Sequence, residues 1–290
     1  MKMVYHNVLI KCNSELQLIC AVTAAICKYK LDSINFYILA GQINGFQISL
    51  EYLKDEKFII INNYVELMNI AKKHDRFTVI SASHFPYSLI KEITYSKVHE
   101  LIRIEEGIGS YGNLYTKVIN LFRHSYGKLA VRHSLGIMVA KFLEFVGIQE
   151  RIFAYDDNGR VNVVFARNFR RVVAIFAKKT RSFHCRNCLL LPTERLESYL
   201  ADREFTNFSR KYHPAWNSNE QLSDFDTTGI ERIVGTTAGI KFLISEFSSS
   251  MLYLHLYSDC IGICMDKNNG KFLTMKQKCL FHRHSVVIPF

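Results

Sequence analysis

The first half of the chain alternates short apolar runs with longer segments whose apolar residues recur every three to four positions. The short runs are predicted strands, VYHNVLIK (4–11), INFYILAG (34–41), KFIIINN (57–63), FTVISAS (77–83) and HELIRIE (99–105). The periodic segments are predicted helices, 14–28, YVELMNIAKKH (64–74) and one that ends near 93. Strands that are apolar throughout and alternate with helices indicate an α/β fold with a parallel sheet covered on both faces.

The pattern becomes less regular beyond the middle of the chain. Residues 115–147 have helical spacing, and RIFAYDDNGRVNVVF then predicts a strand, an Asp-Asn-Gly turn and a second strand that runs through about 161–176. We therefore predict a domain boundary here, between residues 1–150 and 151–290. Later predictions are helices at 193–201 and 229–236, a strand at 240–245 and a C-terminal SVVIPF segment that docks on the fold.

Composition adds a bias toward anionic partners. The 290 residues carry a formal net charge of +11, and 49% of them are hydrophobic, which is a globular composition. The N-terminus has no signal-peptide pattern and no run long enough to cross a bilayer, so we expect a cytoplasmic protein, with peripheral attachment to the inner membrane face left open. Cys185 and Cys188 form a CxxC pair, but the second pair has the wrong spacing for a zinc finger, and we predict no metal site.

Two adjacent acids end the fifth predicted strand in LIRIEEGIGSY. Glu105 and Glu106 precede Gly107, at the strand end where parallel sheets bind ligands. One carboxylate here can act as a general base toward a hydroxyl, and a neighbouring carboxylate raises its proton affinity. A solvated turn would explain the same residues, so the acids alone do not decide the question.

Two further motifs contain residues that could bind a phosphate group. In RKYHPAW, Pro214 favours an extended backbone at His213, and a cationic His213 near Arg210 and Lys211 can meet a phosphate. In SEFSSSM, three serines begin a predicted helix after a strand, where free N–H groups favour an anion. These serines are Ser248, Ser249 and Ser250. A surface histidine and an ordinary helix cap are the simpler alternatives.

In this order, the acidic-acidic-Gly, His-Pro and Ser-Ser motifs resemble those of the bacterial sialyltransferases. EEGIGSY is most similar to the capsule polysialyltransferase and lipooligosaccharide sialyltransferase branches. The opening turn of Asn13, Ser14, Gln17 and Leu18 also resembles theirs, as does GIERIV, whose Glu231 stands shortly before the serines. The chain departs from the family at Ala215, where relatives often have an arginine.

The resemblance implies a GT-B type glycosyltransferase with two Rossmann-like domains that face a cleft, the acceptor and base in 1–150 and the CMP donor in 151–290. It implies inverting, metal-independent transfer of sialic acid from CMP-sialic acid to a glycan acceptor of capsule or lipooligosaccharide, with no cofactor and no nucleic acid partner. The chain is short for a polysialyltransferase, which favours transfer of single residues. Glu106 or Glu105 would be the base, with a slight preference for Glu106.

The resemblance also implies the donor site. His213, beside Pro214, would contact the CMP phosphate, and the serines at 248–250 would hydrogen-bond it. Glu231 would bind the cytidine, Asn13 and Ser14 would line the sugar side, and Gly107 would let the ligand approach closely. Two alternatives stay open: a GT-B glycosyltransferase that uses another activated sugar, including another CMP-nonulosonic acid, and a non-enzymatic basic protein that binds acidic glycan or nucleic acid.

Overall fold

The computed structural model describes most of the chain in two compact units. The described residues are 5–40, 57–82, 97–105, 108–111, 127–178, 184–190, 238–245, 249–266 and 273–289. The first unit comprises the described residues within Met1–Asp156 and Val161–Asn168, and the second those within Asp157–Arg160 and Phe169–Phe290. The predicted division of labour between an acceptor domain (1–150) and a donor domain (151–290) stays a prediction, as does the GT-B arrangement around a cleft.

The first unit is built on a parallel sheet of six strands. Its strands are β1 (His6–Cys12), β2 (Ile34–Ala40), β3 (Phe58–Ile61), β4 (Phe77–Ser81), β5 (Val98–Arg103) and β6 (Gln149–Arg151), and its helices are α1 (Glu15–Lys28), α2 (Tyr64–Lys73) and α3 (Gly127–Phe145). The order across the sheet is β3-β2-β1-β4-β5-β6, and every pair is parallel. This confirms the predicted α/β class with a parallel sheet.

Strand β1 lies at the centre of the sheet, where the strand order changes direction. Val8, Leu9 and Ile10 are fully buried, and β1 pairs with β2 on one side and β4 on the other. Consecutive apolar residues in one strand are expected where both faces of a sheet are covered. In open α/β sheets, ligands bind outside the carboxyl ends of the strands at such a reversal. Here the reversal lies between β1 and β4.

The second unit has a four-stranded parallel sheet of its own. Helix α4 (Val163–Lys178) begins in the first unit and continues into the second from Phe169. The other elements of the second unit are β7 (His184–Leu190), β8 (Ala238–Ser245), α5 (Ser249–Tyr257), β9 (Ile261–Asp266), α6 (Met275–His284) and β10 (Val286–Pro289). The order is β10-β9-β8-β7. The strand predicted at 240–245 is confirmed within β8. The SVVIPF segment docks as predicted, because β10 pairs with β9 along Val286–Pro289.

The strand predicted near 161–176 is wrong, since these residues form helix α4. Its buried apolar residues are Phe165, Phe169, Val172, Val173, Phe176 and Ala177. This is helical spacing, and the side chain of Asn162 accepts a hydrogen bond from the N–H of Phe165 at 3.1 Å, as a helix cap does. The β-branched residues before Phe165 favoured the strand interpretation, but the period of 3.6 residues over the whole segment decides the structure.

The Asp-Asn-Gly turn is present without the predicted hairpin. Gly159 has a φ of 73°, and a single antiparallel bridge joins Tyr155 to Val161. A Cβ on Gly159 would lie 2.9 Å from Cδ2 of the buried Leu280, so both the backbone angle and the space favour glycine. The helices predicted to end near 93 and to span 193–201 and 229–236 lie outside the described residues.

Candidate functional site

Glu105 lies two residues beyond the end of β5. Its side chain is buried, and one of its carboxyl oxygens accepts hydrogen bonds. Its side chain is 1% exposed. Oε1 accepts hydrogen bonds from the hydroxyl of Tyr111 and from the backbone N–H of Ala154. Tyr111 belongs to the short 3₁₀ turn Ile108–Tyr111, and Ala154 follows β6. Glu105 therefore joins the segment that leaves β5 to the segment that leaves the neighbouring strand β6.

The environment of Glu105 favours its protonated form. Burial raises the pKa of Glu105 to about 8, while the hydrogen bonds from Tyr111 and Ala154, the charge of Arg151 and the backbone N–H of Tyr155 lower it less strongly. Among the residues that the structure describes, Oε2 has no hydrogen-bond partner and is buried. A neutral carboxylic acid at neutral pH is consistent with this surrounding, because an unpaired buried charge is costly.

Aromatic rings enclose this carboxyl group. The ring of Tyr111 meets those of Phe153 and Tyr155 edge-on, with centroids 5.8 and 5.6 Å apart. The guanidinium groups of Arg103 and Arg151 lie 5.3 and 4.7 Å from the centroid of Phe153. We call Glu105, Tyr111, Phe153 and Tyr155 the Glu105 cluster. It fixes the backbone at Glu105, and so the point from which Glu106 and Gly107 continue.

A buried ion pair supports the same end of the sheet. Nε of Arg103, the last residue of β5, lies 2.6 Å from Oε1 of Glu144 on α3, and the side chains are 3% and 14% exposed. Charge pairs at this degree of burial are strongly destabilising to break, because they leave an uncompensated ion behind. The pair therefore holds α3 against β5, the strand that precedes Glu105 and Glu106.

The Asn13 and Ser14 pattern forms the cap of helix α1. The hydroxyl of Ser14 accepts from the N–H of Gln17 at 3.3 Å, and the N–H of Asn13 donates to Oε1 of Gln17 at 2.8 Å. The helix start predicted at Ser14 is confirmed. Asn13 and Ser14 are exposed at the carboxyl end of β1, beside the reversal of strand order. Their side chains are accessible to a ligand there, but contact with a donor sugar stays a prediction.

Ser249 and Ser250 begin a helix after a strand, as the sequence predicted. Strand β8 ends at Ser245 and α5 starts at Ser249, so Ser249 and Ser250 lie in its first turn, both half-buried. The helix is held by Met251, Leu252 and Leu254, which are buried. The first turn of a helix presents N–H groups without intrahelical partners, which is the environment that a phosphate favours. Binding of a phosphate here stays a prediction.

Six of the predicted site residues lie outside the described residues: Glu106, Gly107, His213, Pro214, Glu231 and Ser248. Their roles stay predictions. The sequence interpretation also missed the partners of Glu105. Tyr111 stands in the quoted motif, but Ala154 is 49 positions away, and only the alternating aromatics of RIFAY indicated a buried segment there.

Two searches of the described residues bear on metals and membranes. No group of three or more His, Cys, Asp or Glu side chains there has an arrangement that could hold a metal ion. In the same part of the chain, no helix is both long and apolar enough to span a bilayer. Metal independence and localisation stay predictions.

Comparison with known proteins gives distant structural neighbours. No protein-family model matches the chain, and no curated protein matches it. Two solved structures of a sialyltransferase from Photobacterium damselae are similar to it, one of them the GT-B domain alone. Each is 9% identical with a TM-score of 0.40. The match covers 98% of this chain, and 82% and 100% of the neighbours' chains.

Proposed function

We propose that the chain is a sialyltransferase. It transfers sialic acid from CMP-sialic acid to a sugar hydroxyl of a capsule or lipooligosaccharide acceptor, with inversion and without a required metal. The observation that carries the proposal is the context of the EEG motif. The two acids follow the carboxyl end of a parallel strand, and a buried cluster anchors the first of them. The serine run, at the start of a helix after a strand, supports a phosphate-bearing donor.

Glu106 is the base in this proposal, and Glu105 positions it. Glu105 is buried, is bound from within the unit and holds its proton at neutral pH, so it is poorly suited to deprotonate an acceptor. The carboxylate of Glu106 takes the proton from the acceptor hydroxyl. That oxygen attacks the anomeric carbon of sialic acid, the bond from this carbon to the phosphate oxygen breaks, and CMP leaves with the electron pair. A single displacement of this kind inverts the configuration.

The donor is held by the remaining motif residues. His213, preceded by Arg210 and Lys211, neutralises the charge that develops on the leaving phosphate. These two cations compensate for Ala215, where relatives often have an arginine. The serines at 248–250 hydrogen-bond the same phosphate, and Glu231 binds the cytidine. Asn13, Ser14 and Gly107 line the sugar.

A panel of nucleotides tests the donor assignment. We expect CMP, at about one hundred times its Kd, to stabilise the protein by about 2.7 kcal/mol, with no comparable effect of UMP or GMP. His213→Ala should weaken this protection and slow transfer, whereas His282→Ala, at an exposed histidine in α6, should change neither. A thermal shift assay measures the protection by CMP, and release of CMP from CMP-sialic acid measures the rate of transfer.

Other results would indicate a different function or a different donor site. Protection by UMP or GMP instead of CMP would indicate a glycosyltransferase with another activated sugar. Salt-sensitive binding of polyanions without any nucleotide effect would indicate a basic glycan-binding protein. Equal protection of His213→Ala and wild type by CMP would remove His213 from the site while keeping the donor class.

A further inference from the structure

Helix α3 is apolar on two faces, and within the part of the chain that the structure describes only one of them is buried. Ile137 and Ala140 are buried against the first unit, and Glu144 is largely buried in its pair with Arg103. A row of large apolar residues on another face is exposed. It consists of Val131, Leu135, Met138, Val139, Phe142 and Phe145, which we call the α3 stripe. Phe142 is 62% and Phe145 88% exposed.

The α3 stripe is continuous, which distinguishes it from scattered surface hydrophobics. At 3.6 residues per turn its six residues fall within an arc of about 120°, from Val131 to the end of the helix at Phe145. Val146 and Ile148, directly after the helix, are also exposed. Single exposed apolar side chains, such as Val65 on α2, are ordinary in proteins, but contiguous apolar surface marks an interaction site.

The charges of α3 indicate which kind of partner the α3 stripe binds. The sequence of the helix contains three basic residues, Lys128, Arg132 and Lys141. Its one acid, Glu144, already lies 2.6 Å from Arg103 and 3.0 Å from Lys141. An apolar row on a helix with an excess of basic residues is the pattern of helices that lie in the interface of an anionic membrane.

We propose that the α3 stripe docks the protein on the surface of an anionic bilayer, with α3 parallel to the membrane plane. The apolar side chains enter the boundary between headgroups and acyl chains, and basic residues of the helix meet lipid phosphates. The net charge of +11 adds a longer-range attraction to the same surface. A second copy of the chain is a poorer fit, because a two-fold contact would bring the same cations of both copies to one interface. Docking does not depend on the transfer chemistry.

Vesicle co-sedimentation of the full chain tests the proposal. We expect binding to vesicles of phosphatidylglycerol and phosphatidylethanolamine, and little binding to phosphatidylcholine alone. The double variant Phe142→Ser, Phe145→Ser should partition at least about tenfold more weakly, because two exposed rings no longer enter the lipid. Binding should also fall when salt rises from about 0.1 to about 0.5 M.

The control is the double variant Val65→Ser, Met275→Ser, which removes two exposed apolar side chains outside α3 and should bind as wild type does. A second pair, Leu135→Ser with Met138→Ser, guards against a local effect at the helix end, and circular dichroism checks that each variant folds. Equal binding by wild type and both stripe variants would overturn the proposal. So would an absence of vesicle binding together with a concentration-dependent dimer that the stripe variants abolish.

Discussion

Replacing Glu106 by glutamine is expected to lower the rate of sialic acid transfer by about 10²- to 10⁴-fold, the usual contribution of a general base. Glutamine keeps the size and the hydrogen-bonding capacity of the side chain but cannot accept the proton of an acceptor hydroxyl. CMP binding should stay within about twofold of wild type, because the proposed contacts with the phosphate come from other residues. Release of CMP from CMP-sialic acid measures the rate, and titration with CMP measures affinity.

The matched control is the same substitution one residue earlier. Glu105 is already neutral for the most part at pH 7, and the carbonyl of a glutamine at 105 can still accept from Tyr111 and Ala154. We expect Glu105→Gln to keep the transfer rate within about tenfold, well above a variant that lacks the base. If Glu105→Gln abolishes transfer and Glu106→Gln does not, Glu105 is the base and the assignment is reversed.

Replacing Glu105 by alanine should instead cost stability. The change leaves the Tyr111 hydroxyl and the Ala154 N–H buried without their acceptor and opens a cavity among the rings of the Glu105 cluster. Each unsatisfied buried group costs about 1–3 kcal/mol, so we expect a loss of about 2–5 kcal/mol in the free energy of unfolding. Denaturant unfolding measures it, with Glu105→Gln as the variant that should lose less than half as much.

The pH dependence of the free energy of unfolding shows whether Glu105 is protonated in the folded protein. The pKa of Glu105 is raised in the folded protein, so between its unfolded value near 4.5 and about 8 unfolding releases a proton. This carboxyl therefore contributes its full stability below the unfolded pKa and loses it as pH rises through the folded pKa, by at most about 1.4 kcal/mol per pH unit. Glu105→Gln has no such proton, so its free energy of unfolding relative to that of wild type should rise from pH 5 to pH 8. Parallel stability curves would show that Glu105 is ionised in the fold.

Sequence patterns predicted the first sheet well because its strands are apolar on both faces. Runs such as VLI in β1 and FTVIS in β4 satisfy that requirement without reference to the rest of the chain, and Ser14 signals the start of α1 by its local chemistry. The serine run was likewise predicted at a helix start. In all three cases, the residues that determine the structure lie within one turn or one strand.

The features that the sequence did not predict have a different physical origin. Helix α4 was predicted as a strand because its valines have high β propensity, although tertiary packing of Phe165, Phe169 and Phe176 favours the helix. The role of Glu105 depends on contact with Ala154, which is distant in sequence. The sequence did not indicate the α3 stripe for another reason. A helix that is apolar on two faces is typical of a buried helix, and only the exposed fractions of its side chains among the described residues distinguish the two faces.

Incubation of the purified chain with CMP-sialic acid and a panel of galactoside and sialylated acceptors tests the central claim most directly. Free CMP and the sialylated acceptor are measured together, in the presence of a metal chelator. We expect equal amounts of CMP and sialylated product, with both lost in Glu106→Gln. Intact CMP-sialic acid with every acceptor, while another nucleotide sugar is consumed, would contradict it.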